Sequence, residues 1–284
     1  MAKKFFRNIN ICMITMKIKP TKITLDQKIK QKAFISTKKP TTKVDWEIAG
    51  RCNDTKMIKP FSIKHPLLDT LTVSIREVNR ELDVFLIELK NSLQKVFSRE
   101  SMLIEPESQR IRGMSIETAE EYRATKKGRK YGFGELVRLT SIMEMLENKC
   151  KYISIFAKNT AVYFHAKYKF QPNITDKKNA LDILSCIIND SSPGYKDMSQ
   201  KAKKLYQELE NKEIVSEEQK TLLLKKVNKL VDCYIKKALL EGKNGQGHEF
   251  EKGMNMILTE EVIQKEKNFF NKKFKNQGIQ YKIQ

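Results

Sequence analysis

A basic glycine loop, Lys126-Lys-Gly-Arg-Lys-Tyr-Gly-Phe-Gly134, stands between two segments of different periodicity. Before it, residues 110–118 alternate as a strand does. Directly behind it, Leu136, Leu139, Ile142, Met143 and Leu146 recur at three- and four-residue steps, which predicts a helix over 135–148. Tyr152-Ile-Ser-Ile-Phe156 reads as a short buried strand, and residues 160–168 as a short helix ending before Pro172. Strand, glycine loop, helix, strand, helix is the order of an α/β (α+β) core with parallel pairing across the crossover.

The flanks are less regular. Residues 1–60 carry Lys-Pro at 19–20, 39–40 and 59–60 and read as a loosely ordered basic arm with short strands at most. Val78, Leu82, Phe85, Leu89, Leu93 and Val96 fit one face of a helix, and residues 102–104 a strand. Beyond the core, residues 176–240 read as helical throughout, with Ser216-Glu-Glu-Gln219 as a capping box. Residues 241–248 are a glycine-rich break, 254–258 a strand and 260–274 a charged helix. A strand returning after so long a helical stretch makes residues 176–250 an insertion into a sheet domain. The expected organisation is therefore an arm over 1–60, a core over 61–175, the insertion, and residues 251–284 completing the core.

Lys and Arg number 55 against 34 Asp and Glu, a net charge of +21. Of this excess, +11 lies in residues 1–60, with 15 basic and 4 acidic side chains. Such a balance suits nucleic acid, an acidic protein or another anion as partner, and equally a Lys-, Asn- and Ile-rich composition with no selected surface. Aromatics at 8% leave no base-stacking platform among the lysines. Five scattered cysteines without a C-x-x-C pair argue against a disulfide framework and against a zinc site, so no metal is expected and a reducing, cytoplasmic setting fits. No apolar run approaches the ~20 residues of a membrane helix. The acid-poor start leaves targeting or secretion, including into a host cell, as the alternative.

Three phosphate-binding patterns can be laid on the glycine loop. A dinucleotide fingerprint fails at Val137, where a small residue is required, and a P-loop has no counterpart. The third, Arg129-Lys130-Tyr131-Gly132-Phe133-Gly134, fits R-x-x-G-x-G, and it resembles the acetyl-coenzyme A signature of the GNAT family of N-acetyltransferases. Glycines there let backbone N–H groups converge on a pyrophosphate at a helix N-terminus, with Arg129, Lys130 and their neighbours adding positive charge. The resemblance continues in Asn159-Thr-Ala161-Val-Tyr-Phe164-His165-Ala-Lys167-Tyr-Lys-Phe170, which is similar to the family's segment after its fifth strand.

The resemblance implies a mixed twisted sheet flanked by helices and splayed between its fourth and fifth strands, acetyl-CoA as cofactor, and transfer of the acetyl group to an amine in a ternary complex. It implies cofactor contacts from residues 129–134 and Asn159. His165 matches the position of a tyrosine that protonates the leaving thiolate in many members, and Tyr163 is a second candidate for that acid. Glu117, on the segment similar to the fourth strand, is the candidate base. The chain departs from the pattern at His165, at Lys169, where glycine is usual, and at Glu135, a carboxylate beside the phosphate site. The acceptor is open among protein, small molecule and aminoacyl-RNA. A non-enzymatic nucleic-acid-binding or adaptor protein on the same fold is the rival.

Overall fold

The computed structural model describes residues 41–49, 55–65, 68, 70–122, 131–211, 216–242 and 249–284. Residues 40–284 make one compact unit. Residues 1–39 lie outside it and outside the described residues, so the expected arm is described only from residue 41 onward.

Three short strands come first: β1 (Thr42–Lys43), β2 (Trp46–Ile48) and β3 (Lys56–Ile58). Then β4 (Phe61–Lys64), β5 (Thr70–Asn79), β6 (Val84–Asn91), β7 (Val96–Glu105) and β8 (Arg110–Thr118) form an antiparallel meander. The helix expected from Val78 to Val96 does not exist. Of its stripe, Leu82 and Leu93 are exposed on hairpin turns, with Asp83 and Gln94 in the left-handed region. The pattern that governs is the period of two: Leu71, Val73 and Ile75 on β5 and Phe85, Ile87 and Leu89 on β6 are buried.

The second half follows the expected order closely. Helix α1 (Phe133–Glu147), β9 (Tyr152–Ala157), α2 (Ala161–Ala166) and β10 (Gln171–Pro172) complete the core motif. The insertion is three helices, α3 (Lys177–Ile188), α4 (Lys196–Asn211) and α5 (Glu217–Leu240). The Oγ of Ser216 accepts from the N–H of Gln219, as a capping box requires. Strand β11 (Met254–Thr259) returns to the sheet, and α6 (Glu260–Lys265), α7 (Lys267–Asn276) and β12 (Ile279–Gln280) close the chain. The main sheet runs β10-β11-β9-β8-β7-β6-β5-β4, and β8 with β9 is its one parallel pair.

The inner face of this sheet packs on α1, whose Leu136, Val137, Leu139, Ile142 and Met143 are buried. Glu144 is buried among them. It accepts from the Ile58 N–H at 2.8 Å and from the Asn148 amide, tying β3 to the helix. Burial pushes its carboxyl up to about 8, against these hydrogen bonds. The native state then keeps a proton that the unfolded chain releases near its ordinary value, so this group's contribution to stability falls as pH rises from about 4.5 to about 8, by up to ~1.4 kcal/mol per unit. Denaturant midpoints across that window should fall more steeply in wild type than in Glu144→Gln. Equal slopes would contradict the assignment.

Candidate active site

Strand β8 pairs with β9 only over four residues, Arg110 to Gly113 against Tyr152 to Ile155. Beyond Gly113 the two strands part, β8 following β7 to Thr118 and β9 following β11 to Ala157. The cause lies in β8 itself. The β7–β8 register slips between Ser101, opposite Ser115, and Met102, opposite Gly113, which leaves Met114 as an extra residue. A bulge of this kind raises the local twist and bends the strand away from its neighbour. The expected splay is therefore present, between the eighth and ninth strands of this chain.

The connection that crosses from β8 to α1 ends at Gly132, which adopts φ 75°, ψ 13° and stands at the helix N-cap. Gly132 has no side chain to cap this end, so among the described residues no N-cap oxygen takes the first N–H groups of α1. Among the described residues, a β-carbon at Gly132 would meet only Gln277 Nε2, at 3.3 Å, and one at Gly134 would lie 3.4 Å from Phe164 and 3.5 Å from Thr118 Oγ1. Both glycines thus keep the backbone open to a close neighbour. Glu135, the carboxylate that the sequence sets against a phosphate ligand, is ion-paired with Lys273 of α7 at 3.0 Å. That pairing removes most of its repulsion for an anion.

Arg129 and Lys130 lie outside the described residues, as do Lys126 and Lys127. Tyr131 and Phe133 turn into an aromatic cluster with His65, Phe97 and Tyr122, with ring centroids 4.8–6.2 Å apart. Phe133 is buried, so its backbone is what it can offer a ligand. Asn159 adopts φ 50° and its N–H donates to the Phe250 carbonyl, leaving an exposed side chain at the start of α2.

Glu117 lies on the outer face of the sheet, opposite α1. Its Oε2 accepts from both Nε and Nη2 of Arg99, at 2.9 and 2.8 Å, and its side chain is 54% exposed. It lines a hollow of about 300 Å³ with Phe97, Ser98, Arg99, Thr118 and Glu120. His165 lies on the inner side, 3% exposed, with Phe164 and Phe170 against its ring. Burial, reinforced by the nearby Arg138 charge, holds its pKa well below the usual value, so the imidazole is neutral. Tyr163 faces the insertion. It is buried beside Phe250, and burial raises its phenol above the ordinary range. The three candidate acid and base residues therefore do not converge on one point.

Sequence reasoning passed over Glu100, Arg138 and Lys273. Arg138 and Glu100 form an ion pair at 2.9 Å, each 1% exposed, beneath the point where the strands part. Lys273 is more than a hundred residues from Glu135, and no local pattern announces their meeting.

No family model matches the chain, and no curated protein matches it in sequence. Among solved structures, Tetrahymena GCN5 is similar over 33% of this chain and 55% of its own, at 13% identity and a TM-score of 0.29. A GNAT family acetyltransferase from Elizabethkingia anophelis with acetyl-CoA bound covers 37% and 78%, at 14% identity and 0.30. PaiA N-acetyltransferase from Thermoplasma acidophilum in complex with coenzyme A covers 34% and 57%, at 15% and 0.27. The chain thus spans little more than half the length of two of these three. By its own strand order and its bulged and parted β8–β9 pair, the chain is a mixed sheet flanked by helices and carrying a helical insertion, the architecture that the resemblance to the GNAT family implies.

Proposed function

We propose that the protein is an acyl-CoA-dependent N-acyltransferase that uses acetyl-CoA. The observation that carries this reading is the glycine turn at the N-terminus of α1, set at the open end of the parting between β8 and β9. Residues 132–134 would hold the pyrophosphate by backbone N–H groups, with Lys273 cancelling Glu135 and Asn159 near the cofactor's lower arm. The bound cofactor supplies an acyl group activated as a thioester. An acceptor amine forms the new amide bond at that acyl carbon, loses a proton and leaves coenzyme A as the thiol.

The acceptor would enter at the hollow that Glu117 lines at the ends of β7 and β8. Glu117, held by Arg99, orients a cationic amine there and can accept its proton. His165 is buried and neutral, which suits it to hold a proton on one ring nitrogen and not a second. The charge points to the acceptor's character. Residues 1–40 carry 11 basic and 1 acidic side chain, and residues 123–130 carry five basic and none acidic. An acidic protein or nucleic-acid-borne acceptor is the class such segments draw.

Release of coenzyme A thiol from acetyl-CoA, followed with a thiol reagent over a panel of amines, polypeptides and aminoacyl-RNA, tests the reading. Acceptor-dependent release that is lost in a glycine-turn variant is expected. Release that no acceptor raises above hydrolysis, together with no acetyl-CoA binding, would overturn it.

A further inference from the structure

Arg138 touches both arms of the parted sheet. Toward one arm, its Nη1 lies 2.9 Å from Glu100 of β7, and Glu100 Oε1 sits 3.2 Å from where a β-carbon of Gly113 would be. Gly113 is the last β8 residue that pairs with β9. Toward the other arm, the guanidinium lies 5.1 Å from the ring centroid of Phe170, at the entry to β10, and its charge acts on His165 of α2. Strand β10 is joined to β9 through β11. One side chain on the helix that carries the glycine turn thus spans the cleft from β7, the neighbour of β8, to the start of β10, on the side of β9.

Stability does not account for this arrangement. Withdrawing two charges from water costs about as much as their attraction returns, and apolar side chains of similar volume commonly serve a core as well or better. The cluster is also incompletely satisfied: among the described residues, Arg138 Nε and His165 Nδ1 have no hydrogen-bond partner. What the pair adds is direction, because a guanidinium set against a carboxylate and an aromatic face accepts few geometries.

We propose that Arg138, with Glu100, is a positioning residue that fixes the opening between β8 and β9 at the width acyl-CoA requires. This rests on the acyl-CoA reading above, and adds that the ion pair serves the cleft more than the core.

The test compares wild type, Glu100→Leu and the double variant Glu100→Leu, Arg138→Met, in melting temperature and in acetyl-CoA affinity by calorimetry. The single variant strands a buried guanidinium and should melt well below wild type. The double variant should regain the wild-type melting temperature yet bind acetyl-CoA at least about tenfold more weakly. A double variant that melts and binds like wild type would overturn the proposal, since the pair would then be replaceable core. One that stays unstable would overturn it too, because the pair would then serve stability. If wild type itself binds no acetyl-CoA, the underlying acyl-CoA reading fails, which is a different result.

Discussion

Gly253→Ala is expected to destabilise the protein by roughly 2–5 kcal/mol, a large fraction of the margin by which most domains stay folded. Gly253 adopts φ 73° at the entry to β11, where the insertion rejoins the sheet. A β-carbon there costs ~1–2 kcal/mol in the left-handed region. It would also lie 2.6 Å from Lys158 Cγ, 2.8 Å from the Ala157 carbonyl oxygen and 2.9 Å from Phe156 Cζ. The lysine can swing away. The carbonyl cannot, because Ala157 is the register partner of Met254 in the β9–β11 ladder. Gly253 is held from its other side as well, its N–H donating to the Phe250 carbonyl and its own carbonyl accepting from Asn179 of α3. Crowding of this kind adds ~1–3 kcal/mol.

Gly242→Ala is the control, with φ 70° and no described residue within 4 Å of the added carbon. It should lose only the conformational part. Equal losses in the two variants, measured by denaturant unfolding, would show that packing at Gly253 contributes nothing.

The double variant Gly132→Asp, Gly134→Asp is expected to lose acetyl-CoA affinity by about 100-fold or more while remaining folded. Asp tolerates the left-handed region better than most residues, so Gly132→Asp strains the turn little. At Gly134 the new side chain starts 3.4–3.5 Å from Phe164 and Thr118, a contact those side chains can accommodate by small shifts. The damage is electrostatic. Glu135 already stands in the first turn of α1, and Lys273 offsets it; two more carboxylates would set further negative charge at the same helix end. They would favour the helix dipole and repel a pyrophosphate at the same place. A melting temperature near that of wild type with lost binding is the expected pair of results. A folded variant that binds as tightly as wild type would remove the glycine turn from the cofactor site.

The second half of the chain was legible because its signals are local. Leu136, Leu139 and Ile142 mark α1, Ser216 caps α5, and Met254 to Leu258 show that the sheet resumes after the insertion. The β5–β6–β7 meander was misread for a reason that is also local. Val78, Leu82, Leu89 and Leu93 happen to fall at helical steps, while the alternation that decides the fold is blurred on β6 by Leu86, an apolar residue on the opposite face from Phe85 and Ile87. Likewise, parallel pairing was expected of the core, and only β8 with β9 pairs so within the main sheet.

At the site, the glycine turn could be read from the loop. The meetings of Arg138 with Glu100 and of Lys273 with Glu135 could not, since each joins residues distant in sequence across the helix–sheet packing. Nor could the opposite placement of Glu117 and His165, on the outer and inner sides of the sheet, which follows from the β7–β8 register and from the docking of α2.

The measurement that tests the central claim most directly is calorimetric titration of the wild-type chain with acetyl-CoA. One site per chain with a dissociation constant of roughly 1–100 μM is predicted, matched by a rise in melting temperature that grows with ligand concentration. Absence of both heat and any melting shift at millimolar acetyl-CoA would contradict the account, leaving the parted strands and their glycine turn without the cofactor that explains them.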